Sequence, residues 1–142
     1  MPKISVDEFE NRLEAQCLSR GGRGLPRKHR DKHVLYKSII LTIEPDRDYP
    51  EKELNAAIKK WLTDVGQAVE IDHVSLRRHL VDEGYLSRDR AGTAYRIHIE
   101  HMADLFEPAT NMIDPVAVIE EALKRKEQKR RQYLNKTDDS ST

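Results

Sequence analysis

"SLRRHLVDEGYLSRDRAGTAYRI", residues 75–97, decides the fold. It reads as a short helix, a glycine stop, a strand, a tight turn and a second strand. Asp72 stands where its side chain can cap a helix over 73–83, and Gly84 stands where that helix must end in a left-handed conformation. Beyond it, YLSRD (85–89) and AYRIHI (94–99) alternate in the manner of strands, with Arg90-Ala91-Gly92-Thr93 as turn material between them.

The helix carries two neighbouring arginines, and a wheel separates them. At about 100° per residue, Leu76, Leu80 and Val81 share one broad side, with Val74 at its margin. Arg77 points into that same side and needs an acidic or carbonyl partner. Ser75, Arg78, His79 and Asp82 take the other side. If this is a recognition helix, Ser75, Arg78 and His79 face the major groove, where arginine grips guanine O6 and N7 with two hydrogen bonds. Arg88 and Arg90, near the tip of the following hairpin, can then reach the backbone or the minor groove. Asp82, Glu83 and Asp89 oppose this reading if they face phosphates.

Two further helices precede this one. Arg30 to Leu41 reads as a helix with Leu35, Tyr36, Ile39 and Ile40 inward. EPDRDYP (44–50) stops it and starts another, with Pro50 at the first helical position. Leu54, Ala57, Ile58, Trp61 and Leu62 then recur at helical spacing, and Gly66 follows. Three helices followed by a hairpin is the winged-helix arrangement. The linker near 64–71 is longer than the roughly 3–4 residue turn of a compact helix-turn-helix. The expected fold class is α+β, mainly α: a winged helix-turn-helix over 24–98 with extra helices at both ends.

GLPRKHRDKHVLYKSIIL (24–41), DYPEKELNAAIKKW (48–61) and DHVSLRRHLVDEGYLSRDRAGTAYRI (72–97), in that order, resemble a bacterial family known as domain of unknown function 2087. The resemblance covers about half of the chain. It implies a winged-helix protein of the kind found among transcriptional regulators, and it carries no catalytic residue or ligand with it. An aromatic residue is expected near the start of the third helix in that family, and EIDHVS stands there instead.

The flanks read differently. Residues 5–18 form an expected helix, with Ser5 and Glu8 as a capping box and Val6, Phe9, Leu13 and Cys17 as a narrow apolar stripe. SRGGRGLPRKH (19–29) is a loop, so 1–23 is a helix plus linker. Within 20–37 there are seven Arg/Lys and one acid, which makes a candidate phosphate-contacting arm centred on Arg27 and Lys28 beside Pro26. HMADLF (101–106) suggests a short helix, and EPATNMIDP (107–115) a connector. Asp114 and Pro115 open a last helix to about Leu134, carrying Val116, Ile119 and Leu123 and then the basic run KRKEQKRRQ (124–132). The extension thus spans 99–134, and NKTDDSST (135–142) has the composition of a disordered tail. Each terminal stripe needs a cover. The two can cover one another within a chain, or pair across a two-fold axis, and a homodimer through the terminal helices is the expectation carried forward.

The totals bound the function. Lys+Arg and Asp+Glu are both 25, so net charge is zero and any hold on a polyanion must come from segregated charge. A single cysteine, Cys17, allows neither an internal disulfide nor a cysteine-based metal site. The start lacks the apolar stretch of a signal peptide and no apolar run approaches the ~20 residues of a membrane span, so a cytoplasmic setting without membrane contact is expected. His29/His33 and His98/His101 have spacings that could hold a metal, but nothing completes a ligand set, so no metal or cofactor is expected. Ser38, Ser75 and Cys17 have no base-and-orienter partners, so no enzyme is expected. Three functions remain: a DNA-binding transcriptional regulator, first; an RNA- or ribonucleoprotein-associated factor using the same basic segments; and a protein-interaction module without nucleic acid.

Overall fold

A computed structural model describes residues 2–19 and 24–140. At its centre is α2 (His29–Leu41), whose Val34, Leu35, Tyr36, Ile39 and Ile40 are all buried. β1 (Asp48–Pro50) follows, then α3 (Glu51–Asp64), a short 3-10 turn at Gln67–Val69, and α4 (His73–Asp82). Leu54, Ile58 and Trp61 of α3 and Leu76 and Leu80 of α4 close on α2. Trp61 donates its indole N–H to Ser38 Oγ at 3.0 Å, so its polar end is satisfied inside the core.

β2 (Leu86–Arg88) and β3 (Ala94–Ile97) pair antiparallel as the sequence predicts, with Leu86 opposite Ile97 and Arg88 opposite Tyr95. The sheet has a third strand that the sequence reading places inside a turn. β1 pairs with β3, Asp48 opposite Arg96 and Tyr49 opposite Tyr95, giving the order β1-β3-β2. Pro50 is therefore the last residue of an edge strand and the N-cap of α3, not its first helical residue. A proline is tolerated there because an edge strand leaves one row of backbone groups unpaired.

The amino-terminal α1 (Val6–Glu14) continues into a wider π turn over Ala15–Ser19. Half of the expected capping box forms: Ser5 Oγ accepts from the Glu8 N–H at 3.1 Å. The Glu8 carboxylate instead accepts from Arg12 Nε at 2.7 Å and from Arg30 Nε at 2.8 Å. Phe9, Leu13 and Cys17 are buried, and Val6 partly so.

No helix forms at HMADLF. Residues 101–105 are turns, Met102 has φ +63°, and the Leu105 carbonyl accepts from the Ile4 N–H at 2.7 Å. That bond and a return bond from the Glu107 N–H to the Ile4 carbonyl tie the start of the chain to this loop. A 3-10 turn at Pro108–Met112 leads into α5 (Pro115–Ser140). Asp114 Oδ1 accepts from the Val116 and Ala117 N–H groups, the expected cap. The helix runs on to Ser140, past its expected end near Leu134 and through most of the tail read as disordered. Pro115, Ile119 and Ala122 of this helix are buried, while Leu123, expected inward, is 49% exposed. α5 packs on α1, and Arg125 pairs with Glu14 at 2.6 Å. The stripe on α1 and the Ile119 side of α5 are thus covered within one chain, and Leu123 is not. Among the described residues, no helix is long and apolar enough to cross a membrane.

Candidate nucleic-acid interface

Three local devices set the aim of α4. Asp72 caps it, accepting from the Ser75 N–H at 2.8 Å. Leu76 and Leu80 bury its inner face. Gly84, at φ +87°, ends it, and a Cβ there would lie 2.7 Å from the His101 ring. Left-handed backbone and a crowded neighbour both call for glycine.

The two arginines part as the wheel predicts. Arg77 donates to Asn55 Oδ1 and lies 3.4 Å from the Glu51 carboxylate. Glu51 also accepts from the Tyr95 hydroxyl at 3.0 Å, and the Arg77 guanidinium sits 5.8 Å from the Tyr95 ring centroid. This network joins α4 to α3 and β3. Arg78 is exposed, as is Asp82.

The other helix residues are less open than their wheel positions suggest. Ser75 donates its hydroxyl to Asp72 Oδ2 at 2.8 Å. His79 lies on the flank of α4 rather than its outer face, half-buried and stacked on Tyr36 with ring centroids 6.4 Å apart.

In the hairpin, Asp89 turns inward to its own loop. Its carboxylate accepts from the Thr93 N–H at 2.8 Å and the Thr93 hydroxyl at 3.0 Å. The Thr93 bonds also hold its carboxyl below the usual range. Arg88 folds over the turn, donating to the Gly92 carbonyl at 3.1 Å, 5.6 Å from the Tyr95 ring centroid. Arg90 is exposed at the tip. Arg27 and Lys28 are exposed just ahead of α2, where Lys28 is the N-cap, while Arg20 and Arg23 lie outside the described residues. Of the expected contact residues, Arg78, Arg90, Arg27 and Lys28 are exposed cations, and Arg88, also exposed, is committed to the turn.

Periodicity does not reveal a set of polar residues buried along α2. Asp31 accepts from Arg12 at 2.7 Å. His33 Nδ1 shares a 2.8 Å hydrogen bond with the Tyr85 hydroxyl, and His33 Nε2 is 3.8 Å from Glu83. Burial pushes the His33 imidazole down to about 4; His29 acts in the same direction and Glu83 opposes it. Burial likewise raises the Tyr85 hydroxyl above its usual range. Lys37, 2% exposed, donates to Asn111 Oδ1 at 2.5 Å, lies 4.6 Å from the Phe106 ring centroid, and is lowered by burial to about 8. Each of these side chains fixes α2 to a neighbour. The one hint in the sequence is their density: four polar residues on a helix that must also be the centre of the core.

The histidine pairs do not gather into a metal site. His29 and His33 approach to 4.3 Å between centroids, but His33 is held by Tyr85. His98 bonds Ser87 and His101 bonds the Glu83 carbonyl. Among the described residues, no three His, Cys, Asp or Glu side chains are grouped to hold an ion.

Residues 23–97 match a family described as an uncharacterized protein conserved in bacteria, domain of unknown function 2087. No match was found among curated proteins or among solved structures. The matched segment is just over half of the chain and contains α2, the sheet, α3 and α4, the same stretches that carry the resemblance in the sequence. The chain belongs to the domain of unknown function 2087 family.

Proposed function

We propose that this chain is a winged-helix, DNA-binding transcriptional regulator of the bacterial cytoplasm, with α4 as its recognition helix and the β2–β3 hairpin as its wing. One observation carries the reading: Arg77 is tied into α3 and β3 while Arg78 leaves the same helix into solvent. A guanidinium on a helix fixed in this way is pre-organised for the two-bond contact with guanine. Arg90 at the wing tip and Arg27 and Lys28 at the start of α2 supply phosphate contacts, which position the protein without reading sequence. Ser75 has spent its proton on Asp72, so it serves as an acceptor from a base amino group. Asp89 is held by Thr93 but stays exposed and ionised, so it remains an acid that opposes the reading. Neither a catalytic step nor a cofactor is assigned.

A salt titration of binding to duplex DNA tests this. With about three phosphate contacts, log affinity should fall against log salt with a slope of roughly −3. A slope near zero sinks the proposal and puts a protein-interaction module first. That second reading draws on the exposed Asp72, Asp82 and Glu83, which flank Arg78 on and beside α4. Competition between duplex and single strands separates DNA from RNA as the target.

A further inference from the structure

A groove of about 480 Å³ lies between α1, the Pro108–Met112 turn and the first half of α5. Its apolar lining includes Val6, Ile113 and Val118, together with Met112, which is 87% exposed. Its walls carry four acids, Glu10, Glu14, Asp114 and Glu121, and one cation, Arg125, which pairs with Glu14, while Glu121 lies 3.9 Å from Lys124. Among the described residues Glu10 has no ion pair. An exposed methionine beside a net acidic lining suits a basic segment that carries a large apolar side chain.

The chain itself contains such a segment. Beyond Arg125, α5 carries Lys126, Lys129, Arg130, Arg131 and Lys136 with one acid, Glu127, among them, and only its last turn adds Asp138 and Asp139. It also exposes Tyr133 and Leu134, by 73% and 50%. Leu134 comes five full helical turns after Val116, so it continues the side of α5 that faces the core, past the point where the core ends. The chemistry already has one instance in the chain, since Arg125 from this same run is paired with Glu14 on the groove wall.

The tail cannot reach its own groove. α5 is continuous through Ser140, and the residues after Arg125 carry it roughly 20 Å further along its axis. A helix that lines the groove with one half and projects with the other fits an antiparallel pairing of two such helices. We propose that the groove binds the basic distal half of α5 from a second copy of this chain, each copy filling the other's groove about a two-fold axis. Groove and tail sit at opposite ends of one helix, so a single symmetry operation satisfies both contacts and closes the assembly as a dimer. This surface is separate from α4 and the hairpin, so the inference stands independently of the nucleic-acid reading.

The test is sedimentation equilibrium of the full chain at tens of micromolar, in low and high salt. A dimer of twice the 16.5 kDa chain mass is expected, and salt should weaken it. The groove variant E10K/E121K and the tail variant K129E/R130E should each weaken it about tenfold or more, with circular dichroism unchanged. The variant with all four reversals should recover dimerisation, which shows that the single-sided variants lost a contact and not the fold. A monomer in low salt overturns the proposal, as does a dimer indifferent to both reversals. A monomer whose binding to duplex DNA drops on tail reversal also overturns it, and makes the tail a nucleic-acid arm.

Discussion

Arg77 and Asn55 join α4 to α3: the guanidinium donates to the amide oxygen across 22 positions of sequence. Arg78, one residue on, is exposed. The pair of arginines therefore divides between holding α4 and presenting it.

Arg77→Ala should lower stability by about 1–2 kcal/mol, since Asn55 and Glu51 lose a charged partner on a side chain only 15% exposed. Arg78→Ala should leave stability within about 0.5 kcal/mol and weaken DNA binding by about 1–3 kcal/mol. Thermal melts and fluorescence anisotropy on both variants check this. Unfolding by Arg78→Ala with a silent Arg77→Ala would reverse the assignment.

His33 makes stability depend on acid. Its folded value of about 4 lies below the ordinary 6.5, so the folded state favours the neutral ring. Its contribution is full above about pH 6.5 and is lost as pH falls toward 4, reaching roughly 3 kcal/mol at the acid end. Glu83, the carboxylate nearest His33, limits the loss. Urea unfolding from pH 8 to 4 should show a shallower acid decline in His33→Gln than in the parent chain. Identical declines would remove His33 as the cause.

Gly84→Ala should destabilise by about 1–2 kcal/mol from the left-handed backbone alone. The added methyl also meets the His101 ring at 2.7 Å, so the cost should exceed that of an exposed turn glycine. Denaturant midpoints of Gly84→Ala, alone and with His101→Ala, separate the two contributions. If His101→Ala restores none of the loss, the ring contact is irrelevant.

Replacing Arg27 and Lys28 together should shallow the salt slope of DNA binding by up to about 2 and leave sequence preference intact. Competition between duplexes of different sequence checks the second part. A change in preference would mean that these residues read bases.

The legible parts of the fold are those whose cause is local. α4 carries its own cap at Asp72, its own stop at Gly84 and an apolar spacing that places Arg77 and Arg78 correctly. β1 is hidden because Asp48 and Pro50 disfavour a strand and Tyr49 alone is no pattern; its reason is β3, with Arg96 opposite Asp48. The inward turns of Ser75 and Asp89 are equally quiet, since a wheel gives a direction and not a hydrogen bond. The buried polar residues of α2 find their partners across 19 positions for Asp31 and 74 for Lys37, distances at which periodicity carries no information.

The segment shared with the family starts at residue 23, but α2 does not keep its charges by itself. Arg12 reaches Asp31, Glu8 reaches Arg30, and Phe9 and Leu13 lie over the same helix side. The matched segment is therefore smaller than the set of residues that pairs the charges of α2. A chain beginning at Gly24 would keep the whole matched pattern of α2, sheet, α3 and α4. It would also leave Asp31 without its counter-charge, at about 1–3 kcal/mol, and bare the apolar floor beneath α1. Relatives that share only the matched segment must therefore cover that side of α2 with something of their own.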